Sequence, residues 1–237
     1  MTDFHTHILP GIDDGSKNTD MSLQMLGLEK TQGVDNIVAT PHFSYERETL
    51  GHFLEKRQAA AEALKKAADE KGENGIKLFL GAEVAVTPGI SSQAGLDKLC
   101  IEGTNCILLE MPMTDWTAWV FNEIYAFTVM NYVPIIAHTE RYSCISSNRE
   151  KIGTLTDMEV CVQINAASIG RLACRNIVNK ILKSDKCVVI GSDAHNLTDR
   201  KPNIQQALHK IRKKYGEQLV TRIENNANML LSGNFSF

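Results

Sequence analysis

The opening run DFHTHILPGIDDG sets His5 and His7 two residues apart and Asp13 and Asp14 side by side. Side chains alternate across a strand, so the two imidazoles face the same side and can grip one ion together. Asp193 and His195, in GSDAHN, repeat that spacing near the other end of the chain. Between them, His42 in ATPH, Glu83 in GAEV, Glu110 in LLEMP and His138 in AHTERY each stand at or near the end of an apolar run. With Asp14 reaching in from the first loop, the candidate metal ligands are His5, His7, Asp14, His42, Glu83, Glu110, His138, Asp193 and His195. Any one of them alone reads as an ordinary polar residue at a strand end. Together they predict a multi-metal site, because burying so many polar groups without cations is heavily destabilising. The donors are nitrogen and oxygen without thiolate, which suits Mn, Fe or catalytic Zn.

Three divalent ions among four carboxylates leave an excess of positive charge suited to a phosphate dianion, whereas two leave the pocket near neutral. Arg141, shortly after His138, and Arg200, shortly after His195, are placed to clamp phosphate oxygens through bidentate hydrogen bonds. The competing reading makes them surface arginines paired with Glu140 and Asp199. Asp13 is either a turn residue before Gly15 or a carboxylate that moves protons. His52 and His209 lie in charge-rich helical segments and read as solvated. Phe43, Tyr45, Trp116 and Trp119 offer aromatic walls for a ring-bearing substrate, with ordinary packing equally open.

Seven short apolar runs carry these residues: DFHTHI (3–8), NIVATP (36–41), IKLFLGAEV (76–84), CILLEMP (106–112), YVPIIAH (132–138), EVCVQIN (159–165) and CVVIGSD (187–193). Helix-forming stretches alternate with them, the clearest being LEKRQAAAEALKKAADEKG, which Gly72 should stop. Others are MSLQMLGLEKTQG, WVFNEIYAFTVMN, RNIVNKILKSD and IQQALHKIRKKYG. This alternation predicts a parallel sheet with helices outside it. Polar residues at the C-terminal end of nearly every run favour a closed barrel, whose strand ends share one mouth, over an open sheet with a single switch point.

The 237 residues suit one barrel-sized domain, with no linker or fixed-period repeat to divide it. The formal net charge is −3 and the basic residues read as spread along the chain, which argues against a nucleic-acid partner. No apolar run is long enough to span a bilayer and the N-terminus is unlike a signal peptide, so a cytoplasmic location is expected. Six cysteines without a C-x-x-C pair read as reduced thiols, with Cys161 and Cys187 buried in strands. None is followed six positions later by arginine, so phosphatase chemistry must run by a route other than a thiolate.

The motifs DFHTHILPGIDDG, ATPH, GAEV, LLEMP, AHTERY and GSDAHN resemble the polymerase and histidinol phosphatase (PHP) superfamily. Within it the chain is most similar to the bacterial manganese-dependent protein tyrosine phosphatases of capsular and exopolysaccharide operons. The resemblance runs from residue 3 to about 200 and implies a distorted, TIM-like (β/α)7 barrel holding three metals, with Mn the expected ion. It implies His5, His7, Glu83 and Asp193 on the first metal; His42, Glu83 and His138 on the second, Glu83 bridging; and Asp14, Glu110 and His195 on the third. Arg141 and Arg200 match the family's phosphate-binding arginines. The implied reaction is attack of a metal-activated hydroxide on phosphotyrosine, and the implied partner a bacterial tyrosine kinase with a tyrosine-rich C-terminal tail at the inner membrane face. A phenolate leaves without much protonation, so no general acid is assigned.

A histidinol-phosphate or other small-molecule phosphatase with the same cluster is the nearest alternative. An amidohydrolase also starts with H-x-H but usually carries a bridging lysine, a role that Glu83 fills here. A non-catalytic phosphopeptide-binding module is the alternative from another class.

Overall fold

Apolar, β-branched runs alternating with helix formers fold as strands followed by helices, and the computed structural model describes residues 1–73, 75–233 and 235. The strands are β1 (Thr2–Thr6), β2 (Asn36–Ala39), β3 (His42–Phe43), β4 (Lys77–Leu80), β5 (Glu83–Ala85), β6 (Cys106–Glu110), β7 (Val133–Ile136), β8 (Cys161–Asn165) and β9 (Val188–Gly191). Among the described residues every strand pair is parallel. The order is β1-β2-β4 in one sheet and β3-β5-β6-β7-β8-β9 in the other.

The seven expected runs correspond to seven staves, two of which are broken. Ala39 pairs with Leu80 and His42 with Glu83, so β3 and β5 continue β2 and β4 without a change of register. The break falls at Pro41, which has no N–H for a ladder; its carbonyl accepts from Glu83 N at 3.0 Å. At the far edge β1 meets β9, where Asp193 N donates to His5 O at 2.8 Å and His7 N to Ala194 O at 2.9 Å, closing a TIM-like barrel. An irregularity in β1 between Asp3 and Thr6 lets Phe4 join an inner cluster with Val38, Leu108, Ile135 and Val189.

The helices are α1 (Thr19–Thr31), α2 (Leu50–Glu70), α3 (Ala118–Val129), α4 (Asn148–Asp157), α5 (Arg175–Lys183), α6 (Ile204–Tyr215) and α7 (Glu217–Leu231). Asn18 caps α1 by accepting from Met21 N, and Gly72, at φ +66°, follows the end of α2. Two helices were not legible in sequence. Gly153 and two threonines weaken the signal of α4, and α7 is rich in asparagine and separated from α6 only by Gly216. Leu230 of α7 packs into the inner cluster and its carbonyl accepts from Cys106 Sγ at 3.7 Å, so α7 covers the start of β6. Cys161 is buried as expected, whereas Cys187, just before β9, is only half-buried. No helix among the described residues is long and apolar enough to cross a membrane.

Candidate metal centre

The mouth of the barrel gathers all nine candidate ligands around the buried Glu83 carboxylate. His5 Nε2 and His7 Nε2 lie 3.1 Å apart, and each is 3.2 Å from Glu83 Oε2. His42 Nδ1 approaches that oxygen at 3.0 Å, while His138 Nε2 meets Oε1 at 2.8 Å. Asp193 Oδ1 is 3.8 Å from His5 Nε2 and 3.5 Å from His7 Nε2. Asp14 Oδ1 stands 3.4 Å from His195 Nε2 and 3.6 Å from His42 Nε2. Glu110 lies 3.9 Å from His42 Nδ1 and 3.7 Å from His138 Nε2.

Three groups offer ligand atoms within 4.8 Å of one another: His5, His7 and Asp193; His42, Glu83 and Glu110; and His7, Asp14, His42 and His195. Glu110 lies beside His42 and Glu83, and Asp14 and His195 beside His7 and His42, so that His7 and His42 each belong to two groups. Glu83 Oε2 and His195 Nε2 are buried without a hydrogen-bond partner among the described residues. Orphaned atoms of this kind are costly unless a cation meets them, so the donor set fits divalent ions.

A layer of hydrogen bonds behind the imidazoles aims them. His5 Nδ1 bonds Gln163 Oε1 at 3.0 Å, and because an amide oxygen only accepts, the proton is on Nδ1 and the Nε2 lone pair faces inward. Gln163 Oε1 also accepts from His138 N at 2.6 Å; its Nε2 donates to Asn165 Oδ1 at 2.9 Å, and Asn165 Nδ2 donates to Asp193 Oδ2 at 2.7 Å. Asp13 serves the turn and also backs a ligand: its Oδ1 accepts from Gly15 N at 2.9 Å, while its Oδ2 meets His7 Nδ1 at 2.7 Å and accepts from His42 N at 3.0 Å. His195 Nδ1 bonds the Asp193 carbonyl at 3.0 Å, leaving Nε2 toward Asp14. His138 (φ 31°) and Asp193 (φ 54°) both adopt left-handed backbone two residues beyond their strands, where His138 N donates to Gln163 and the Asp193 carboxylate accepts from Asn165.

Burial alone would lower the His7 pKa, but its hydrogen bond to Asp13 and the Glu83 carboxylate 3.2 Å away outweigh that and raise it to about 10. Burial opposes ionisation of Asp13 and Asp193, yet contact with His7 brings Asp13 down to about 2, and the charges of His5 and His7 bring Asp193 to about 2. Burial and the neighbouring His7 charge lower His195 to about 4, which keeps it neutral and available as a donor atom. Burial and the Glu83 charge raise Glu110.

Both arginines reach the same carboxylate. Arg141, on the 3-10 turn Thr139–Cys144, places Nη1 3.3 Å from Asp193 Oδ2, and Arg200 places Nη2 2.7 Å from Oδ1. The pairing with Glu140 or Asp199 is not what forms: Glu140 is buried, accepting from Ser168 Oγ at 2.7 Å. A cavity of about 580 Å³ opens beside Asp14, His42 and Glu110, walled by Phe43, Ser44 and Thr87. Packing accounts for the other aromatics: Tyr45 OH donates to Ala94 O, Trp116 Nε1 to Pro112 O, and Trp119 lies half-buried against the apolar cluster beneath α3. His52 and His209 are exposed. Sequence reasoning missed the part played by Gln163 and Asn165; a lone amide inside CVQIN, two residues before another, was the available signal.

A crystal structure of amidohydrolase II shares the fold at 12% identity, covering 98% of this chain and 99% of that one, with a TM-score of 0.55. Seven parallel staves ending in a bowl of imidazoles and carboxylates define a TIM-like α/β barrel with a metal-ligand cluster at its mouth. The family model for capsular polysaccharide synthesis, CpsB/CapC, matches residues 1–232, and the chain belongs to that family. It is 30% identical to the putative tyrosine-protein phosphatase CapC of Staphylococcus aureus, over all of this chain and 93% of that protein. A structure reported with YwqE from Bacillus subtilis and CpsB from Streptococcus pneumoniae, unique metal-dependent tyrosine phosphatases, covers 100% of this chain and 96% of its own at 26% identity and a TM-score of 0.87.

Proposed function

We propose that this chain, a metal-dependent tyrosine-protein phosphatase by family, hydrolyses phosphotyrosine on a protein of the capsule machinery, a bacterial tyrosine kinase tail being the expected substrate. The observation that carries the reading is the convergence of two arginines and nine ligand-type side chains on one mouth, with Asp193 common to both sets. In this reading residues 1–237 work as one unit, His5, His7, Glu83 and Asp193 would hold one ion, His42, Glu83, Glu110 and His138 a second, and Asp14 and His195 a third, with Mn the expected metal. Bound there, divalent cations supply a nucleophile at neutral pH by acidifying water, and offset phosphoryl charge.

The chain's own residues do the rest. The Arg141 and Arg200 side chains are 46% and 37% exposed, so their remaining N–H groups can take phosphate oxygens while Asp193 holds them in place. Phe43 and Thr87 border the cavity in which a phenyl ring can lie. Asp13 fixes the His7 ring, and Gln163 the His5 ring. The test is the ratio of turnover on a phosphotyrosyl peptide to that on histidinol phosphate. A clear preference for the peptide is expected, and preference for histidinol phosphate overturns the assignment. Arg141→Ala should lower turnover roughly 100-fold or more with metal content unchanged; loss of metal with activity would make that arginine structural.

A further inference from the structure

The formal charge of −3 hides an uneven distribution. Eleven of the 25 lysines and arginines lie between residues 171 and 214, with only three acids among them, so the even spread read from the sequence as a whole gives way to a basic stretch; within it Arg200 is taken up by Asp193 and Arg212 by Glu217. That segment forms the loop after β8, helix α5, β9 and helix α6. Two contacts join its parts: Lys210 Nζ reaches Ile169 O at 3.3 Å, and Lys214 Nζ reaches Asn179 Oδ1 at 2.8 Å. Arg175 stands one helical turn before Asn179, on the side of α5 that meets α6.

Arg171, Arg175, Lys210, Lys213 and Lys214 are all exposed, and none forms an ion pair among the described residues. Beside Arg171 and Arg175, and near Lys210 across the Ile169 carbonyl, Leu172 is 78% exposed, the most of any large apolar side chain described. An apolar side chain so far out of the surface is a projecting tip and not the floor of a groove. Grooves and strand edges take peptides and basic clusters take acidic ones, but none of these modes uses a projecting leucine. A tip of leucine beside unpaired cations suits a flat, negatively charged, partly apolar surface.

We propose that the face formed by Arg171, Leu172, Arg175 and the lysines of α6 docks the protein on an anionic lipid surface. Its place matters. Ser168, just before this loop, donates to Glu140, whose neighbour is Arg141, so the basic face adjoins the rim that carries the arginines of the mouth. The rest of the chain is acidic in balance and is repelled by the same surface, so contact through this face alone fixes the orientation of the barrel. The inference does not depend on the catalytic reading, because no residue in it belongs to the metal or phosphate cluster.

The experiment is co-sedimentation of the full chain with vesicles of equal parts phosphatidylglycerol and phosphatidylcholine, against phosphatidylcholine alone. Binding only to the anionic vesicles is expected, with release as salt is raised. The variant R171E/R175E/K210E/K213E should bind at least tenfold more weakly with p-nitrophenyl phosphate turnover and melting temperature unchanged, and L172A several-fold more weakly. If the quadruple variant melts early, the pair K210E/K213E serves in its place and should show a smaller loss in the same direction. Equal sedimentation with both vesicle types, or no effect of charge reversal, overturns the proposal. So does binding of soluble polyglutamate at this face without vesicle binding, which makes it a protein-docking surface.

Discussion

His7 depends on the carboxylate behind it. Asp13 holds the Nδ1 side of the ring and so selects the nitrogen that faces Glu83 and Asp193. Asp13→Asn is therefore expected to weaken metal binding by about 10–100-fold, with activity recovering at high metal concentration; calorimetric titration of each protein checks this, and unchanged affinity would return Asp13 to the role of a turn residue. His7→Ala should lose both metal and activity. The same contacts set a pH dependence. With its folded pKa raised to about 10, His7 contributes stability that is fully present below about pH 6.5, its unfolded value, and lost as pH rises toward 10. Asp13, depressed to about 2, contributes stability that persists above about pH 4 and is lost as pH falls through 2. In chelator, the melting temperature should fall between about pH 6.5 and 10, less so in Asp13→Asn. With metal the sign reverses, because a cation must displace the His7 proton, so affinity should rise with pH.

At the level of the elements, two glycines allow strands and loop to approach the ligands. A Cβ at Gly191 of β9 would sit 2.5 Å from His5 Cβ and 2.9 Å from His5 N, and one at Gly15 would overlap His7. Gly191→Ala should force β1 and β9 apart where the barrel closes, costing about 1–3 kcal/mol. Differential scanning calorimetry should show a melting temperature lowered by roughly 2–10 °C, with reduced metal content; a variant as stable and as fully loaded as the parent would mean the closure is looser than drawn. The staves themselves were legible, because each combines a β-branched run with a polar terminus. The breaks at Pro41 and Gly81 were not, since register is carried by partner strands that no local pattern reveals. Gln163 stayed hidden for a related reason: one amide in an apolar run looks like any strand residue until His5 and His138 are brought against it.

Across the whole molecule, closure of the sheet converts residues from 5 to 195 into one cluster, and that long-range gathering is what the spacing of H-x-H and D-x-H anticipated. The pairing of both arginines with Asp193 was beyond reach of sequence, where nearer acids competed for them. Helices α4 and α7 complete the outer layer from segments of weak intrinsic preference, showing that packing on the barrel, more than propensity, forms them. Elemental analysis of the purified chain, joined to turnover of a phosphotyrosyl peptide before chelation, after it, and after return of Mn, Fe or Zn, bears most heavily on this picture. More than one divalent ion per chain, three at full loading, with activity abolished by chelation and restored by metal, is the predicted result; undiminished turnover by metal-free protein would contradict it.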